Sequence, residues 1–253
     1  DSARPVIDYY AKHKTKMSLK DYVAWIHRDI EGLKANIDWV GLCGVRLRGQ
    51  KCAVLQELAK GIYGKDLVAY GLTELMPSAD GRLNVLILEI LLKNAGREYL
   101  DSIPALYDKY TSLGMWQFTQ FAVYHTAREV RGASHVNLYV KRPYKIPGSV
   151  IHLRNSGHHR AAYMFAVSNL TDLVRTSNGA ELANLSRNHG KHLDEIVQFI
   201  ATAHHLPANA VTGARRWAAN NMRSSLQVSL GPKLARYAKK TQANLLALYQ
   251  MIK

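Results

Sequence analysis

Apolar residues recur at helical rather than alternating intervals along most of this 253-residue chain. From Ser18 to Trp39, Tyr22, Trp25, Ile26, Ile30, Leu33 and Ile37 keep helical spacing, with Ser18 as N-cap candidate and Asp21 three residues on. That predicts one helix over 18–39. Gly41 to Gly49 reads as a break, and Cys52 to Ile62 as a helix ended by Gly61 and Gly64. Further helices are predicted over Leu83–Leu92, Ile103–Tyr110, Asn188–Asn209 and Gly213–Asn221. Pro232–Lys253 is amphipathic and predicts a terminal helix, docked on the domain or lying on an anionic surface. Alternating stretches are few, with short strands conceivable only near Val45 and over Asn137–Val140. The expected fold is mainly α: one domain over 1–253 with its core at about 52–217 and extra helices at both ends.

The segment Lys65 to Pro77, KDLVAYGLTELMP, predicts a helix apolar on every side, which is the pattern of a buried central helix. Pro77 stops it. Leu67, Tyr70, Gly71 and Glu74 stand at i, i+3, i+4 and i+7, so a carboxylic acid occupies the stripe where a core hydrophobe is expected. Burial and the negative end of the helix dipole both push such a carboxyl's pKa upward, and a carboxyl protonated near neutral pH can act as a general acid. The plainer reading is that Glu74 caps a polar network or reaches solvent past the last turn.

Composition adds a charge. Lys and Arg number 34 against 19 Asp and Glu, a formal net charge of +15, which calls for an anionic partner or surface. Hydrophobic residues at 47% suffice for a sizeable core. The most apolar stretch, Leu83–Leu92, is too short to span a bilayer, so no transmembrane anchor is expected. The opening DSARPVIDYY has neither an initiator Met nor the form of a signal peptide, as in a processed or trimmed chain. The two cysteines, Cys43 and Cys52, suit either a disulfide across a short glycine-containing loop, and with it an oxidising compartment, or two buried thiols. Eleven histidines form no HExxH, and neither a phosphate loop, a dinucleotide fingerprint nor a GxSxG elbow occurs, so neither metal nor cofactor is expected. Neighbours such as His158–His159 and His204–His205 point about 100° apart on a helix, so each pair offers one ring to any single site.

A hydrophobic helix ending in Glu74, Pro77 and Ser78 just after it, and later the block Gly114-Met115-Trp116-Gln117-Phe118 together resemble the lysozyme-like superfamily of lytic transglycosylases and goose-type lysozymes. Ala201–Pro207 corresponds to a third element of that family, with His204 and His205 where the family has Tyr and Asn. Leu75 stands where the family has Ser, and Gly114 follows Glu74 by 40 residues, leaving room for an inserted helical pair over Leu83–Tyr110. The resemblance implies cleavage of the β-1,4 glycosidic bond of peptidoglycan, with Glu74 as the single general acid. It places Met115, Trp116, Gln117, Phe118 and His204 along the glycan groove. Without it, Trp116 and Phe118 read as core aromatics and Gln117 as a surface amide. Tyr144, in the basic irregular run Lys141–Pro147, is a candidate sugar platform, or part of a solvated linker. A hydrolase would use a second carboxylate, for which Asp80, Glu89 and Asp101 are the candidates, whereas a lytic transglycosylase needs none. The expected setting is a periplasmic or secreted monomer bound to peptidoglycan strands and an anionic envelope, without specific nucleic acid. The alternatives are a basic all-helical nucleic-acid-binding protein and an inactive glycan-binding relative.

Overall fold

The computed structural model describes residues 19–44, 46–75, Ala122, Thr126 and 159–253. Every regular element among them is helical, as the periodicity predicts. The predicted helices over Leu83–Leu92 and Ile103–Tyr110 and the strand suggested over Asn137–Val140 lie outside the described residues, whereas the described residues on either side of Val45 form a helix end and turns rather than the suggested strand.

Helix α1 (Leu19–Ala35) buries Val23, Ile26, Ile30 and Leu33 along one face. It stops four residues before the expected Trp39, because polar side chains offer the backbone local alternatives. The Asn36 amide donates to the Gly32 carbonyl at 2.7 Å, and the Asp38 carboxylate accepts from the Gly41 N–H at 3.0 Å. Asp38 thereby caps a new short helix, α2 (Trp39–Cys43), so Gly41 is helical and the expected break begins only at Gly44. Gly44 has φ +49°, a left-handed turn that L side chains rarely adopt. Across this turn Cys43 and Cys52 are joined in a disulfide, which decides between the two readings of that pair. Helix α3 (Gln50–Lys60) follows and ends at Gly61, as predicted.

Helix α4 (Gly64–Leu75) is the buried central helix that its all-round apolar pattern calls for: Leu67, Val68, Ala69 and Tyr70 are at most 4% exposed. It packs against α1, α5 (His159–Thr176), α7 (Leu193–His205) and α10 (Pro232–Ile252). The crossing with α1 is so close that a Cβ on Gly64 would lie 2.4 Å from His27 Cα.

Helix α5 has no counterpart in the periodicity reading. All of its residues from 162 to 171 are buried, so no polar face marks it out. Its hydroxyls bond inward to its own carbonyls, Ser168 to Phe165 at 2.7 Å and Thr171 to Val167 at 2.8 Å. At its start Arg160 grips Asp29 of α1 through two hydrogen bonds, one of them 2.7 Å.

The two helices expected over 188–221 are differently divided. Helix α6 (Gly179–Asn188) begins on a capping box between Asn178 and Glu181, and a 3-10 turn (His189–Lys191) separates it from α7. Leu206 then leaves the helical region (φ −141°, ψ 80°) because Pro207 disfavours it there. Pro207 itself opens α8 (Pro207–Ala219), so Gly213 lies inside a helix rather than at its start. After α9 (Leu226–Ser229), α10 docks Leu234, Ala238, Leu245 and Leu248 into the core against α4 and α7. Its apolar face is thus spent inside the protein rather than offered to an envelope. Buried residues of all these helices join in one cluster. No described helix is long and apolar enough to cross a membrane.

Candidate functional site

The site is assembled around the C-terminal half of α4. Glu74 occupies the last turn of that helix, as predicted, and its side chain is outside the description. Met115, Trp116, Gln117, Phe118 and Tyr144, with the second-carboxylate candidates Asp80, Glu89 and Asp101, also lie outside the described residues.

His204 is described, and it meets α4 one turn before Glu74. The Tyr70 hydroxyl is hydrogen-bonded to His204 Nδ1, and the two rings lie edge to face with centroids 5.1 Å apart. Phe165 of α5 closes the other side, also edge to face at 5.1 Å. The hydroxyl donates to Nδ1 or accepts from it according to which ring nitrogen of His204 carries the proton. Tyr70 is 1% exposed, so this contact exists in a largely dry environment where a hydrogen bond orients its partners strongly. Tyr70 and Glu74 are four residues apart on one helix and therefore share a stripe. The fold thus carries His204, 134 residues along the chain from Tyr70, to the stripe that ends at Glu74.

Two details of this cluster are not visible in the sequence. Asn169, one turn beyond Phe165 on α5, is 1% exposed and its Oδ1 has no hydrogen-bond partner among the described residues. His205 turns away from its neighbour and stacks on Tyr237 of α10, with centroids 4.7 Å apart and planes within 4° of parallel. Burial, and secondarily the charge of Lys233, lower the His205 pKa. The two adjacent histidines serve two different contacts, as their angular separation requires.

Asp66 is the ionisable residue that sequence reasoning passed over. It stands in the first turn of α4, where an acid is ordinary and signals nothing. In the fold it is 4% exposed and accepts a 2.8 Å hydrogen bond from the Tyr249 hydroxyl of α10. Burial raises its pKa, against the opposing pull of the Tyr249 hydrogen bond and of Lys65. Tyr249 is pushed up in turn, first by burial and then by the Asp66 charge. The Lys65 ammonium lies 4.9 Å from the Tyr249 ring centroid and completes the tether. Asp66, Tyr70 and Glu74 therefore succeed one another by single turns of α4. The first two are each bound to a ring from a distant helix.

Comparisons with protein-family models, with curated proteins and with solved structures give no match, so the chemistry of this site rests on its own residues.

Proposed function

We propose that this chain cleaves the β-1,4 glycosidic bond of peptidoglycan, with Glu74 protonating the leaving-group oxygen. The observation that carries the reading is the placement of α4: a helix enclosed by four others, pinned at Asp66 and Tyr70, and ending in an acid. A general acid must keep a fixed geometry and a raised pKa, and a place in the last turn of a central helix whose preceding turns are buried favours both. His204, held by Tyr70 one turn away, serves as a directional polar partner for sugar hydroxyls at the same groove. The Cys43–Cys52 disulfide supports an oxidising setting, periplasmic or secreted. The charge of +15 supports retention on an anionic wall. In a hydrolase, water completes the reaction. In a lytic transglycosylase the muramyl 6-hydroxyl attacks instead, with Glu74 returning as base, and the released ends differ by the mass of one water.

The test is turbidity loss of purified peptidoglycan with the wild type and Glu74→Gln, with thermal melts alongside. The amide keeps shape and packing but has no transferable proton, so the variant should fold normally and lose about 10²- to 10⁴-fold in rate. A folded Glu74→Gln protein that clears the substrate at the wild-type rate would sink the assignment. A duplex-DNA mobility shift without retention on peptidoglycan would favour the nucleic-acid-binding reading instead.

A further inference from the structure

Away from the α4 cluster, a cavity of about 370 Å3 opens between α8 and the turn that joins α9 to α10. Ligand pockets begin at about 300 Å3. One wall is a single face of α8, where Asn209, Thr212 and Arg216 stand at i, i+3 and i+7. Lys233, in the first turn of α10, supplies a second cation from the opposite wall. Leu206, Pro232 and Leu234 give the same space an apolar side.

The electrostatics of this cavity are one-sided. No Asp or Glu follows Glu195 in the chain, whereas eight Lys and Arg do, and the whole lining is drawn from residues 206 to 234. Neither Arg216 nor Lys233 pairs with a carboxylate among the described residues, although the neighbouring Arg215 pairs with Glu181 at 2.9 Å. Cations brought together without acids raise the local potential and favour an anion. Gly231 caps α10 without a side-chain acceptor, so the partial positive charge of that helix end adds to the same field.

We propose that this cavity binds a phosphomonoester, its phosphate between Arg216 and Lys233 and its organic part against Leu206, Pro232 and Leu234. A monoester carries a charge of about −1.5 to −2 at neutral pH, matching two cations, and presents three oxygens that donors from both walls can reach. A planar carboxylate carries one charge and would leave one cation uncompensated. The apolar wall and the volume, well beyond that of a bare phosphate ion, call for an esterified group. This site is separate from the peptidoglycan reading and stands or falls without it.

Calorimetric titration of the whole protein with glycerol 3-phosphate, at fixed ionic strength, is the test. Saturable one-site binding is expected, tighter than that of inorganic phosphate. Arg216→Gln and Lys233→Gln, both at exposed positions, should each weaken it about tenfold or more, the effect of losing a charge-assisted hydrogen bond. Arg223→Gln, equally exposed and in the same acid-free segment but outside the cavity, should change it by less than about twofold. Absence of saturation below about 10 mM, a range of very weak affinity, would overturn the proposal. Equal losses from all three substitutions would overturn it too, since they would indicate diffuse attraction rather than a site. Inorganic phosphate binding as tightly as the ester would overturn the assignment of the apolar wall.

Discussion

Gly64→Ala probes the contact that sets α4 against α1. The added Cβ would lie 2.4 Å from His27 Cα, 2.5 Å from His27 N and 2.8 Å from the Ile26 carbonyl carbon. Non-bonded carbons rest at about 3.5–4.0 Å, so the two backbones must part locally by about 1 Å. Main chain cannot rotate out of the way as a side chain can, so the upper part of the overpacking range applies, about 3 kcal/mol. Removing a glycine from a helix returns about 0.5–1 kcal/mol, leaving a net loss of about 2 kcal/mol. For a chain of this size that lowers Tm by about 4–8 °C. Gly32→Ala is the internal control: it is exposed, within α1, and a Cβ there meets nothing within 4 Å. It should gain about 0.5–1 kcal/mol. Thermal and urea unfolding followed by far-UV circular dichroism measure both. A Gly64→Ala protein as stable as Gly32→Ala would refute the close crossing of α4 and α1.

Asp66→Asn tests the buried carboxyl. Its folded pKa is raised above the ordinary 3.8, so the stability it contributes is complete below that value and is lost as pH rises through the folded pKa. Wild-type stability relative to Asp66→Asn should therefore fall as pH rises above 3.8, and a difference independent of pH in urea midpoints would contradict this. Reducing the Cys43–Cys52 bond, which closes a loop of sequence separation 9, should cost about 2.5–3 kcal/mol by loop entropy. A denaturation midpoint indifferent to reductant would count against that. Tyr70→Phe keeps the ring and removes the hydroxyl bound to His204, so a loss of about 1–3 kcal/mol is expected. An unchanged Tm together with unchanged His204 ring nitrogen shifts would show that the contact does not orient the imidazole.

Short-range patterns carried much of this fold. The all-round apolar run through Leu67 and Tyr70, the glycine stop at Gly61 and the amphipathic tail after Pro232 each predict an element that the structure contains. These signals depend on residues within a turn or two of one another, which is the range over which propensity and capping act. The misplaced boundaries had local causes as well. Asn36 and Asp38 end one helix and start another through their own side chains, and Pro207 turns Leu206 out of the helix. These signals are present in the sequence but are outweighed there by the longer hydrophobic period.

Other features were settled only by tertiary packing. Helix α5 left no periodic mark because other helices cover it on every side, and burial all round erases the polar face by which periodicity is detected. The meeting of Tyr70 with His204 spans 134 residues and that of Asp66 with Tyr249 spans 183. No local propensity links residues so far apart. The same holds for the cavity between Arg216 and Lys233, which exists only because α10 folds back beside α8. The sequence determined that this protein is built of helices and that an acid ends its central one. Which side chains gather around that helix was decided by the fold, because desolvation and partner choice arise only when distant segments exclude water together.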